Sequence, residues 1–204
     1  MNANFNHLNS KKLIIALTGA SGAIYGIRLL EVLQSIKQIE THLIISNAAK
    51  QTIVAETDYN IQQVRSLADV VYDNRDIGAA ISSGSYRTLG MIILPCSIKT
   101  LSAITHSYSD DLITRAADVC LKEGNPLILC VRETPLHLGH LRLMTQVTEI
   151  GARIVPLVPA FYHRPQSIDD IINQSINRLC DQFGIQLEKE LFQRWNGIKK
   201  DEII

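Results

Sequence analysis

The chain has 204 residues, and its 20 lysines and arginines balance 20 aspartates and glutamates. That length suits one α/β domain with a full core, and zero net charge leaves no global field to attract nucleic acid or an anionic membrane. Its apolar runs are strand-length, too short for a membrane span, and the asparagine-rich residues 1–10 lack the apolar stretch of a secretory signal. Those ten residues read as a disordered tail. Cys96, Cys120, Cys130 and Cys180 form no C-x-x-C pair and no zinc spacing, which points to a reduced, cytoplasmic setting with no metal.

The chain opens on a buried-type strand, Leu13-Ile14-Ile15-Ala16-Leu17, followed by Thr18-Gly19-Ala20-Ser21-Gly22-Ala23. Small residues there let backbone N–H groups approach an anion, and the helix that follows adds its positive end. Glycines at 19, 22 and 26 match neither the dinucleotide G-x-G-x-x-G pattern nor a P-loop. The second strand, His42 to Ile45, ends in Ser46-Asn47 and offers no acid to hold a nicotinamide ribose. A mononucleotide such as FMN suits this turn better than NAD.

Helical periodicity runs over about 22–37, and a second helix is expected over Asn47–Glu56. The stretch from Tyr59 to Arg87 gives a weak pattern, with a strand at Ala68–Tyr72 and a flexible Ser82–Ser85 loop. A buried strand returns at Met91–Leu94. Helices follow at about 97–104 and 110–122, the second with Ser109 as its expected N-cap. Then come a strand at Leu127–Val131, a helix at about 138–150, a strand at Arg153–Val158 and a helix at about 167–183 opened by Ser167. This alternation predicts an α/β fold, a three-layer doubly wound parallel sheet of Rossmann-like or flavodoxin-like type. One domain is expected over 11–186, with 187–204 as a tail that packs on a neighbouring subunit.

Ligands of open parallel sheets lie at the carboxyl ends of the strands. Here those ends carry Thr18 to Ser21, Ser46-Asn47, Ser97-Ile98-Lys99-Thr100, Arg132-Glu133-Thr134 and Phe161-Tyr162-His163-Arg164. Such hydroxyls and cations suit a phosphorylated ligand. Arg115 and Lys122 share one helix face with Asp118 between them and could serve a second phosphate. Cys96, just after a strand, could be a nucleophile, but a small packing residue is the simpler reading. The Asp110-Asp111 and Asp169-Asp170 pairs lack the third aspartate of a magnesium-binding prenyltransferase motif and read as helix-start acids.

Taken in order, these segments resemble the UbiX-type flavin prenyltransferases, within the wider fold family of homo-oligomeric flavin-containing cysteine decarboxylases. The resemblance covers residues 12–26, 46–58, 90–135 and 151–184. It rests on Thr18 to Ala23, Ser46 to Asp58, Pro95 to Leu101, Arg115 to Val119, Leu121 to Glu123, Arg132 to Leu136 and Pro159 to Tyr162. Gly124-Asn125, where the family often has paired arginines, departs from the pattern, as does the charge of His140-Leu141-Arg142. The resemblance implies FMN held by Gly19, Ala20, Ser21, Ser46, Ser97, Ile98, Lys99, Thr100 and Arg132. It implies dimethylallyl monophosphate held by Arg115, Lys122, Arg132, Glu133, Tyr162, Arg178 and Trp195. Glu133 would be the acid/base, supported by Ser21 and Glu56. The implied reaction joins the dimethylallyl group to N5 and C6 of reduced FMN without a metal. Also implied are a homo-oligomer, a dodecamer built from trimers, and a UbiD-type decarboxylase that receives the product in ubiquinone or aromatic-acid metabolism. A flavin-dependent decarboxylase of peptidyl or pantothenoyl cysteine, and a non-catalytic FMN carrier, stay open at this point.

Overall fold

Strand β1 (Lys11–Leu17) lies inside the sheet because Leu13 to Leu17 are all apolar and suited to burial on both faces. The computed structural model describes residues 10–198. Two compact units divide after Leu157. The first holds α1 (Ala23–Leu33), β2 (Ile39–Ile45), α2 (Asn47–Glu56), α3 (Ile61–Ser66), β3 (Val70–Tyr72), β4 (Gly90–Cys96), α4 (Ile98–Thr105), α5 (Leu112–Lys122), β5 (Leu127–Val131), α6 (Leu138–Glu149) and β6 (Arg153–Ile154). The second is built on α7 (Ile168–Gln182). The predicted 1–10 tail falls, but for Ser10, outside the described residues, as do residues 199–204 of the predicted C-terminal tail.

All six strands pair in parallel in the order β3-β2-β1-β4-β5-β6. The order reverses between β1 and β4, which opens a crevice at their carboxyl ends, the usual ligand position of such sheets. Leu13 to Leu17, Gly90 to Cys96 and Leu127 to Val131 are buried throughout. Each such Leu or Ile contributes about 1.5–3 kcal/mol of burial. The doubly wound parallel fold predicted from the strand–helix alternation is thus the one observed. Among the described residues no helix is long and apolar enough to cross a membrane.

Several boundaries differ from the sequence reading. Helix α3 has the single buried position Val64, too little for a periodic signal. Its capping box, Asn60 with Gln63, was nevertheless present in the sequence. The N-cap of α5 is Asp111, not Ser109. Asp111 Oδ1 accepts from Thr114 N at 2.9 Å, and Asn74 Nδ2 donates to its other oxygen at 3.2 Å. Strand β6 stops at Ile154 where the pattern predicted Val158, because Pro156 has no N–H to continue an edge ladder. Helix α1 ends at Leu33, short of the expected residue 37.

Candidate active site

Three helices open at neighbouring strand ends, α2 after β2, α1 after β1 and α4 after β4. Each presents a positive N-terminus to the same edge of the sheet. Gly22 caps α1 with a φ of 101°, a conformation that requires glycine. Gly19 lies against α2, where a Cβ would meet that of Ala48 at 2.4 Å. Ser46 caps α2, accepting from Ala49 N at 3.0 Å, and Ser97 caps α4, lying 3.1 Å from the Thr100 hydroxyl. Two of the predicted flavin-binding serines are therefore helix caps, their side-chain oxygens accepting from backbone N–H groups of α2 and α4. Ile98 packs its side chain on the core, so backbone N–H is what it can offer a ligand, while Lys99 is exposed.

The α1 N-terminus, read from the sequence as a phosphate socket, already holds an anion from the same chain. Glu56 Oε2 accepts from Gly22 N at 2.8 Å and Ala23 N at 3.4 Å. Burial alone would raise its pKa. The Gly22 N–H, the Ser21 hydroxyl, the Ala23 N–H and the Arg132 charge together outweigh that and hold the carboxyl below the usual range. That leaves the N-termini of α2 and α4, and the one nearer to β5 is that of α4. Arg132 stands beside it, since Arg132 N donates to Cys96 O at 3.2 Å and Cys96 pairs with Val131 across β4 and β5. Ser21, Glu56 and Arg132, three residues chosen from sequence, are brought into one electrostatic group.

Glu133 follows Arg132 and is exposed; its carboxylate accepts from Thr134 N at 3.0 Å. Among the described residues it forms no ion pair with Arg132, the bland alternative for adjacent opposite charges. Arg115 donates to Asp118 at 2.8 Å and to the Ser82 carbonyl at 3.2 Å. Lys122 pairs with Glu123. Cys96 is fully buried, and that burial pushes its thiol up to about 12, so it is a packing residue and no nucleophile at neutral pH.

The second unit gathers the remaining candidates. Tyr162, Gln174, Arg178, Phe192, Arg194 and Trp195 line a cleft of about 640 Å³. Trp195 packs edge-on to Tyr162 with ring centroids 6.0 Å apart, and Phe192 does so at 6.2 Å. Gln174 donates to the Tyr162 hydroxyl at 3.2 Å. Sequence reasoning missed Gln174, Phe192 and Arg194, which carry no motif; only Gln174, placed with Arg178 on α7 at four-residue spacing, could have been suspected.

This sheet, with a hydroxyl-rich switch point and no acid after β2, defines a flavoprotein, and the flavoprotein family matches residues 1–179. Flavin prenyltransferase UbiX of Escherichia coli K12 is 67% identical over 187 residues, covering 92% of this chain and 99% of that protein. A crystal structure of AnUbiX (PadA1) in complex with FMN and dimethylallyl pyrophosphate has a TM-score of 0.88 at 48% identity. It covers 93% of this chain and 100% of its own. A dodecameric FMN-dependent UbiX-like decarboxylase from E. coli O157:H7 matches with a TM-score of 0.87 at 46% identity, over 92% and 100% of the two chains. The chain belongs to the UbiX family of flavin prenyltransferases. It is an enzyme, a transferase whose acceptor is a flavin.

Proposed function

We propose that the acceptor is reduced FMN and the donor dimethylallyl monophosphate, joined without a metal at flavin N5 and C6. The observation that carries this is the cleft of the second unit, which three aromatic rings and the Arg178 guanidinium line together. A short apolar chain ending in phosphate has that same composition, and a cysteine decarboxylase or a simple FMN carrier has no use for it.

The flavin fits the first unit by its chemistry. Gly19 to Ser21, Ser46 and the α4 N-terminus offer small backbone and hydroxyl donors, and Arg132 offers a charge for the FMN phosphate. Reduced FMN supplies the nucleophilic N5 and the C6 carbon between which a fourth ring is built. Arg115, Lys122, Arg132 and Arg178 neutralise the departing phosphate, with Tyr162 and Trp195 against the prenyl chain. Glu133 gives a proton to the phosphate oxygen as the C–O bond breaks and N5 takes the prenyl carbon. The proton lost from N5 is delivered to the prenyl double bond, and Glu133 takes the proton released at C6 as the ring closes. Glu56, tied to the α1 N-terminus, keeps Ser21 oriented toward the flavin.

The active form is an oligomer, a dodecamer built from trimers, with sites completed between subunits; the exposed Val158, Phe161, Ile168 and Trp195 support such contacts. The product goes to a UbiD-type decarboxylase of ubiquinone or aromatic-acid metabolism, in the cytoplasm. Mass spectrometry of the flavin after anaerobic incubation with reduced FMN and dimethylallyl phosphate is expected to show one added prenyl group. Unchanged FMN would refute the reaction. Light scattering is expected to give a dodecamer, and a monomeric mass at micromolar concentration would refute the assembly.

A further inference from the structure

The cleft of the second unit is built from two pieces, helix α7 and the segment that follows it, and one carboxylate joins them. Arg178 and Asp181 are three apart on α7, and Arg178 Nη1 donates to Asp181 Oδ2 at 2.7 Å. From the following segment Arg194 reaches the same carboxylate with both prongs, Nη1 to Oδ2 and Nη2 to Oδ1, each at 2.8 Å. Glu190 backs Arg194 at 2.9 Å. Arg178 and Arg194 both line the cleft, whereas Asp181 stands behind it with 21% of its side chain exposed.

The two arginines are not equivalent. Arg194 gives both its terminal nitrogens to carboxylates, so it is the structural one. Arg178 spends one N–H on Asp181 and keeps the rest of its fork for a ligand. The rings of Phe192 and Trp195 flank Arg194 in sequence, and the Arg194 guanidinium lies 5.8 Å from the Phe192 ring centroid. Fixing Arg194 therefore fixes the aromatic wall against Tyr162. The Arg194 hydrogen bonds hold the Asp181 carboxyl below the usual range despite partial burial, so the joint stays ionised at neutral pH.

We propose that Asp181 is a positioning residue for the prenyl phosphate, setting the Arg178 guanidinium at the cleft and, through Arg194, holding the Phe192–Trp195 segment as its aromatic wall. This rests on the reading of the cleft as the prenyl-phosphate site. Asp181→Asn keeps the shape but loses the charge and the two-pronged acceptor, leaving two guanidinium groups with no shared counter-ion.

The test reads binding and structure separately in the FMN-loaded protein. Asp181→Asn is expected to raise KM for dimethylallyl monophosphate by about 10- to 100-fold, with a smaller fall in kcat because Arg178 also meets the departing phosphate. Trp195 is the only tryptophan, so its emission should shift to the red and become more accessible to acrylamide. Arg194→Ala should reproduce both changes, Arg194→Lys should lie between, and the double variant should add little to either single one. Unchanged KM, or a fall in kcat alone, would overturn the proposal, as would unmoved Trp195 emission. If the wild-type protein failed to prenylate FMN while Asp181→Asn still shifted Trp195, the joint would stand and the proposed substrate would fall.

Discussion

Thr18 and Ser97, 79 residues apart, meet at the switch point of the sheet: Ser97 N donates to Thr18 Oγ1 at 2.8 Å, and that hydroxyl donates to Pro95 O at 2.7 Å. One side chain thereby ties the carboxyl end of β1 to that of β4. It sets the 18–21 turn beside the N-terminus of α4, which Ser97 caps.

Thr18→Val keeps the shape and removes both bonds from a site that is 2% exposed. Stranding the Ser97 N–H should cost about 1–3 kcal/mol, read by urea denaturation. FMN affinity should fall with it, because Ser97 is no longer held. Unchanged flavin affinity in the folded variant would show that the joint does not serve the site.

Lys122→Ala and Arg178→Ala should each weaken use of the prenyl phosphate while FMN stays bound, since each removes a charge-assisted contact of about 1.5–3 kcal/mol. Steady-state kinetics with flavin absorbance recorded on the same samples decides the matter. Loss of flavin together with activity would assign these cations to the wrong ligand.

Glu133→Gln should retain FMN and slow turnover by roughly 10²–10⁴-fold. The other candidate, Glu56, is fixed by two N–H groups and a hydroxyl that favour its ionised form. It is therefore a poor proton donor at neutral pH. Rapid-quench analysis of Glu133→Gln is expected to show a flavin carrying a single new bond to the prenyl group. Wild-type turnover would show that Glu133 is not the acid/base.

His42 makes stability depend on pH. It is fully buried in β2, with Nε2 2.8 Å from Glu40 and Nδ1 2.9 Å from the Tyr72 hydroxyl. Burial lowers its pKa, and Lys12 adds to this; Glu40 and Asp69 oppose, and Tyr86 packs edge-on to the ring. The folded chain therefore binds this proton less readily than the unfolded one, whose histidine titrates near ~6.5. Stability from this group is complete above that value and is lost as pH falls through the lower folded value. Denaturation midpoints from pH 7.5 to 5 should decline, and His42→Gln should flatten the slope. An equal slope in both proteins would show that His42 does not carry it.

The strand cores of β1, β4 and β5 were legible because burial on both faces writes a continuous apolar run. The Ser167 cap was legible because its box partner lies three residues on, as was the small-residue turn after β1. Helix α3 and the end of β6 were not. One has a single buried position, and the other depends on where an edge strand loses its partner.

The sequence by itself determined the fold class and the hydroxyl and cation residues that follow the carboxyl ends of the strands. Those properties depend on local period, on caps and on the rule that ligands lie at strand carboxyl ends. Only the tertiary structure decided which groups meet. Glu56 fills the α1 N-terminus from 34 residues away, Thr18 reaches Ser97 across 79, and Arg194 closes on Asp181 across 13. No periodicity encodes those distances. Strand order brings the first two pairs together, and the third needs the return of the chain along α7, so the partners of each charge became readable only once the chain was folded.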